Sequence, residues 1–197
     1  VIQKAAAKKA TLRWVVVGLL ALLALEPLAW TVQHHPYGYM YFNVLVGGTR
    51  KAYKQYTTDY WMLGARPSSR WLANNRDLST KNGQQVEVGS NTTYPVRIYL
   101  HNWAPEANVR YIKWRERHQK DWDYGIFYLD YLPAEQYSSG AWPPAQSIYL
   151  HKVAGVPIFA VIDRSDKSDL QAMEALNSGQ VQQSLPLFAQ AVKTYDN

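Results

Sequence analysis

Residues 14–32 read WVVVGLLALLALEPLAWTV, and Glu26 is the one ionisable side chain among them. A helix of that length just crosses a hydrocarbon core of roughly 30 Å. A secretory signal has a shorter apolar core and a small-residue cleavage site, and neither stands out here. The run therefore reads as a membrane span. Lys4, Lys8, Lys9 and Arg13 precede it without an accompanying acid, so the positive-inside rule puts the amino-terminal end in the cytoplasm and everything after His34 outside it. Trp14 and Trp30 stand near the two ends of the run, and Tyr37, Tyr39, Tyr41 and Phe42 crowd directly behind it. Trp and Tyr pair an apolar body with a polar tip and gather at the headgroup level. Pro27 removes a backbone hydrogen bond and predicts a kink. Glu26 is costly against lipid, so it is expected either to contact other transmembrane helices, of a longer chain or of partner subunits, or to reach the interface.

Composition narrows what the remainder can be. Of 197 residues 18% are charged and the net charge is +6, too dilute for a polybasic surface, so no nucleic-acid partner is expected. The densest basic stretch, Arg110, Lys113, Arg115, Arg117 and Lys120, is interleaved with Glu116, Asp121 and Asp123 and reads as a solvated face. The absence of cysteine excludes disulfides, thiolate metal sites and a cysteine nucleophile. No glycine-rich phosphate loop of the dinucleotide or Walker type occurs, and no Ser, His and Asp fall into a recognisable triad. Neither a catalytic residue nor a metal or other cofactor is therefore expected in this chain. Its 15 Tyr and 8 Trp suit an interface, a glycan-facing surface or membrane contact. The first residue is Val, as in a processed chain or the tail of a longer one.

Beyond the span, turn residues Pro36, Gly38, Gly47 and Gly48 make residues 34–60 irregular. A helix is expected over 62–75, a strand over 84–88, and a helix starting at Thr92, Thr93 and Pro95 with Val96, Tyr99, Leu100 and Trp103 on one face. Residues 109–114 and 124–129 read as strands, 133–137 as one helical turn, and 148–153 with 156–162 as a hairpin around Ala154 and Gly155. Strands alternating with helices and closing on a hairpin predict a small α/β layered domain over 34–165. A charged linker, 166–169, follows. Residues 172–197 resemble a tetratricopeptide repeat, with Ala172, Gly179, Leu185, Phe188, Ala191 and Val192 at its packing positions, although Ser184 replaces the usual Ala and Pro186 sits early in the second helix. The expected organisation is thus a basic segment and span over 1–33, an extracytoplasmic α/β domain over 34–165 and a helical hairpin over 166–197.

The block HPYGYMYFNVLVGG, a Tyr-rich spacer and then DYWMLGAR carry a more specific resemblance. Through His35, Pro36, Tyr37, Tyr41, Phe42, Asn43, Gly47, Gly48, Ala52, Asp59, Tyr60 and Trp61, residues 14–165 resemble the last span and terminal domain of bacterial GT-C membrane glycosyltransferases. The branch concerned is akin to the dolichyl-phosphate-mannose protein mannosyltransferases. The resemblance implies a many-helix enzyme of the bacterial inner membrane. It would move a sugar from a polyprenyl-phosphate donor on the periplasmic side, often with a divalent metal, its catalytic acid lying upstream of the residues in hand. Lipid, other membrane helices and a glycan or polyprenyl-phosphate sugar are the implied partners. The alternative is a single-span, non-catalytic accessory subunit of a membrane complex. On residue chemistry alone, His34 and His35 read as structural or capping groups. Asp59 reads as a cap for the helix after it, or with Tyr60 and Trp61 as a sugar platform. Asn43, Gly47 and Gly48 fix the backbone at the membrane exit. Asn91, Thr92 and Thr93 form a glycosylation sequon.

Overall fold

The computed structural model describes residues 2–53, 55–80, 83–133, 135, 136, 140 and 142–195, with side chains from Leu12 to Thr194. The chain divides into two compact units, Val1–Ala52 and Tyr53–Asn197. In the first, α1 (Ile2–Gln33) continues on both sides of Pro27. Its 22-residue stretch Leu12–Gln33 is long and apolar enough to cross a membrane, and none of it is buried; by length and composition alone a signal sequence meets the same test. Two 3-10 turns, Gly38–Met40 and Val44–Val46, lead into the short helix α2, Gly48–Ala52.

The second unit is a mixed α/β fold. Its elements are α3 (Ala65–Asn75), β1 (Glu87–Ser90), α4 (Thr93–His101), β2 (Asn108–Tyr111), β3 (Tyr124–Tyr128), β4 (Ser147–Val153), β5 (Val156–Asp163), α5 (Ser168–Asn177) and α6 (Val181–Tyr195). The five strands form one sheet in the order β2-β1-β3-β5-β4. β1 pairs in parallel with both β2 and β3, and the β4–β5 hairpin closes the sheet antiparallel against β3. The β1-α4-β2 crossover explains the parallel half: antiparallel neighbours need only a tight turn, whereas parallel ones need a connection long enough for a helix. The helical turn expected over 133–137 includes residues outside those described.

One face of the sheet is packed by aromatics. Trp114, Trp122, Phe127 and Trp142 meet Ile112, Leu129, Leu132, Ala160 and Ile162, with Trp114 and Trp122 edge-on to Phe127 at 4.9 and 5.6 Å between ring centroids. Pairs in that geometry add about 0.5–1.5 kcal/mol each beyond the area they bury. The crowding leaves no room at Gly125, where a Cβ would stand 2.4 Å from Phe127. β1 runs from Glu87 to Ser90 rather than over 84–88, and a side chain at Gly89 would meet Ile112 at 2.7 Å. β2 ends at Tyr111, short of the expected 114, since Trp114 begins a 3-10 helix, Trp114–Gln119, that turns the indole inward. On α4, Val96 and Leu100 are fully buried while Trp103 lies past the helix end and is 36% exposed.

The charged segment 166–169 is not a loose linker. Arg164, 1% exposed at the end of β5, stacks over Trp122 at 4.7 Å and donates to the Lys120 carbonyl and, at 2.7 Å, to Asp169 on α5. Asp169 also meets His118 Nδ1 at 2.6 Å. Burial opposes ionisation of Asp169, yet the bonds from His118 and Arg164 bring its pKa below the usual carboxylate range. Lys167 bridges Asp121 and Asp123 at 2.6 and 2.8 Å, and Asp166 accepts from Gln190 and Thr194 on α6. These contacts fix the α5–α6 hairpin to the α/β layer. Within the hairpin Ser184 is 1% exposed, and its hydroxyl donates to Val181 O at 2.8 Å.

Removing Asp169 leaves the Arg164 guanidinium buried without its carboxylate. Asp169→Ala is therefore expected to cost about 3–5 kcal/mol, measured by urea unfolding of the detergent-solubilised chain. Arg110→Ala breaks only the surface pair with Glu87 at 3.2 Å and is expected to cost less than about 1 kcal/mol.

Candidate functional site

Two places collect the residues that the sequence marks out. The first lies within residues 26–48. Glu26 accepts the Val44 amide at 3.3 Å and is hydrogen-bonded by the Tyr41 side chain. Tyr41 packs edge-on to Trp30 at 5.8 Å, and Trp30 stacks on His34 at 4.3 Å. Glu26, Trp30 and His34 are spaced by four, so one stripe of α1 receives the returning chain. A side chain at Gly38 would meet Thr31 at 2.8 Å, which shows how closely the backbone lies on the helix. Asn43 caps the second 3-10 turn: its Oδ1 accepts from Leu45 N at 2.7 Å. Gly47, with φ of +99°, supplies the left-handed step that releases the chain into α2. The His35–Pro36 peptide is cis, and His34 Nδ1 lies 3.0 Å from the Trp30 carbonyl. Tyr37 is half-buried. Within this unit Glu26 thus has partners from its own chain.

The second place is the carboxyl-terminal edge of β1, β2 and β3. The outgoing chain from β1 runs through α4 to β2 on one side, while β3 lies on the other side of β1. That divergence opens a crevice at the strand ends, the usual position of ligand sites in open α/β sheets. Asn91 closes its floor. Its side-chain amide donates to the Tyr128 carbonyl and accepts the Tyr128 amide, both at 2.8 Å, extending the β1–β3 pairing by one step. Asn91 is 4% exposed, so the sequon amide is occupied in the folded chain.

Behind the crevice, Asp59 and Asp130 do structural work. Asp59 is fully buried and accepts from Leu63 N at 3.2 Å and Gly64 N at 3.1 Å. That turn occupies residues 59–64, and for this reason α3 starts at Ala65 rather than 62. Asp130 accepts from the Thr58 amide at 3.0 Å and the Tyr128 hydroxyl at 2.8 Å, and the same hydroxyl lies 2.7 Å from Asp59 O. Burial raises the Asp130 pKa, with the bonds from Tyr128, Thr58 and Asp59 holding it back. Burial and then the Asp130 charge push the Tyr128 phenol well above its ordinary range, so it remains a donor.

The crevice itself is a cleft of about 430 Å³ lined by Asn91, Tyr111, Lys113, Trp114, Arg115, Glu116, Tyr131 and Pro133. Tyr111 and Tyr131 are 60% and 52% exposed. Of the three core indoles, Trp122 donates to Arg117 O and Trp142 to Pro157 O, whereas Trp114 Nε1 is buried without a partner among the described residues. Lys113 and Arg115 are paired with Glu116 and Glu135. Tyr60 and Trp61 are exposed and stand edge-to-face at 5.2 Å; the carboxylate of Asp59 is turned inward, away from the role of hydroxyl acceptor beside them. Chemically, the edge offers aromatic faces, an indole donor and two neutralised cations. Among the described residues, no group of three or more His, Asp or Glu is arranged to hold a metal ion.

Asp130, Tyr128 and Trp114 carry much of this edge, and none was marked by the sequence patterns. An acid immediately after an all-apolar strand was the available signal for Asp130. The chain matches no protein-family model, and no curated protein or solved structure is detectably similar to it.

A pH effect follows from His151, beside Tyr149 in β4. Burial lowers its pKa to about 4, so below the unfolded value near 6.5 the unfolded chain gains a proton that the folded one refuses. Stability is complete above pH 6.5 and falls as pH drops toward 4, by about 2 kcal/mol after allowing for partial exposure. Asp130, whose pKa burial raises, opposes this trend. Denaturant titrations at pH 7.5 and 4.5 are expected to show this loss, and His151→Gln to remove most of it.

Proposed function

We propose that the chain is the last membrane span and extracytoplasmic domain of a polyprenyl-phosphate-sugar-dependent glycosyltransferase, lying outside that enzyme's catalytic part. The observation that supports this reading best is the wholly unburied 22-residue apolar helix, followed by a block several of whose distinguishing residues have a structural task. Asn43 and Asp59 accept backbone amides, Gly47 and Gly48 take positive φ, and Glu26 and Tyr41 hold the chain on the helix.

On this reading the N-terminal basic residues face the cytoplasm of a bacterial inner membrane and the α/β unit faces the periplasm. The cleft between Tyr111 and Tyr131 is suited to a glycan: tyrosine faces pack on pyranose carbon-hydrogens, and the Trp114 N–H seeks an oxygen acceptor. The α5–α6 hairpin begins a tetratricopeptide-like array, which takes about three units to bury a continuous core. The competing reading, a single-span accessory subunit, uses the same surfaces for docking to a membrane complex.

The native polypeptide separates the two. Immunodetection in detergent-extracted membranes is expected to find a product several-fold heavier than 22.6 kDa. A native product of 22.6 kDa that co-purifies with a larger complex would overturn the enzyme reading in favour of the subunit.

A further inference from the structure

The loop that returns onto α1 presents three consecutive aliphatic side chains to the outside. Val44, Leu45 and Val46 are 62%, 87% and 62% exposed. In water such a knuckle is costly: each aliphatic side chain forgoes about 1.5–3 kcal/mol available from full burial. The backbone beneath is arranged as if water were absent. Val44 N donates to Glu26 Oε1, Leu45 N to Asn43 Oδ1, Val46 N and Gly48 N to Asn43 O, and Gly47 N to Val44 O. Five successive amides are therefore paired within the unit, which meets for the donors the condition that hydrocarbon imposes on a backbone placed in it. A solvent-exposed loop has no such requirement, since water serves its amides equally well.

The position along α1 points the same way. Glu26 precedes the helix end at Gln33 by seven residues, or about 10 Å at 1.5 Å per residue. Because Glu26 holds the Val44 amide, the aliphatic knuckle lies about that far back along the helix from its end. The depth matches the 5–10 Å to which interfacial apolar segments settle beneath a headgroup layer. Tyr41 and Trp30 lie between the knuckle and the helix end, where an aromatic girdle belongs.

We infer that Val44, Leu45 and Val46 insert into the acyl region of the outer leaflet beside the span. They form a short re-entrant wedge whose amides are neutralised by Glu26 and Asn43. The inference rests on the membrane-span reading of Leu12–Gln33, and it gives Glu26 a function inside that span: it satisfies the returning backbone at membrane depth. The occupant of the apolar knuckle is lipid, and the contact continues the lipid-facing surface of α1.

The chain has no cysteine, so single reporters are clean. Leu45→Cys and, as an internal reference, Leu22→Cys are labelled with an environment-sensitive fluorophore. The full chain is then reconstituted in vesicles of phosphatidylethanolamine and phosphatidylglycerol carrying nitroxides at shallow or deep acyl positions. At residue 45 the expected result is blue-shifted emission, quenched at least about two-fold more by the shallow nitroxide than by aqueous iodide. At residue 22 the deep nitroxide is expected to quench best. Lipid quenching at 22 with water-like emission and iodide quenching at 45 would overturn the wedge and leave the span standing. Water-like emission at 22 would overturn the span and the wedge together.

Discussion

A backbone amide left over where regular secondary structure stops needs another acceptor, and Asn43, Asp59 and Asn91 are among the side chains that supply one. Asn43 accepts for the turn that returns onto the apolar helix, Asp59 accepts for the turn that starts α3, and Asn91 stands in for a missing rung between β1 and β3. An unpartnered buried amide costs about 1–3 kcal/mol, which is a large share of the stability of a domain this size. These positions are thus constrained by more than packing. The same demand explains why Glu26 sits in an otherwise apolar helix. Its carboxylate is the acceptor for an amide that the helix itself does not serve.

A comparable economy runs through the second unit. The aromatic face of the sheet is crowded enough to admit only glycine at position 125 and packs closely over Gly89 in β1. Arg164 then links that face to the helical hairpin. Its guanidinium lies over Trp122 and its hydrogen bonds reach the segment 118–120 and one helix. The carboxyl-terminal edge is left as the open one, with tyrosines at its rim and carboxylates held behind it as structural groups.

Much of the architecture was legible in the sequence because it rests on periodic or local signals. The apolar run, the β4–β5 hairpin around Ala154 and Gly155, and the helix opening at Thr93 all announce themselves within a few residues. What was not legible depends on contacts between distant segments. The strand over 87–90 includes Gly89 and Ser90, beyond the expected end at 88, where Ile112 and Trp122 pack over the glycine. The segment 166–169 reads as a solvated linker because its partners His118, Asp121, Asp123 and Arg164 lie elsewhere in the chain. At the site, Asp59 was recognisable as a helix-starting acid from its position. The roles of Tyr128, Asp130 and Asn91 arise only when β1 and β3 lie side by side.

The account as a whole stands on a chain that crosses a bilayer once within these residues and carries its α/β unit on the outer side. Single cysteines at Lys8 and at the exposed Gln182, probed with a membrane-impermeant maleimide on cells whose outer envelope has been made permeable, test this directly. Labelling at 182 in intact spheroplasts, and at 8 only after lysis, is the predicted result. Labelling of both or neither before lysis, or of 8 alone, would contradict it.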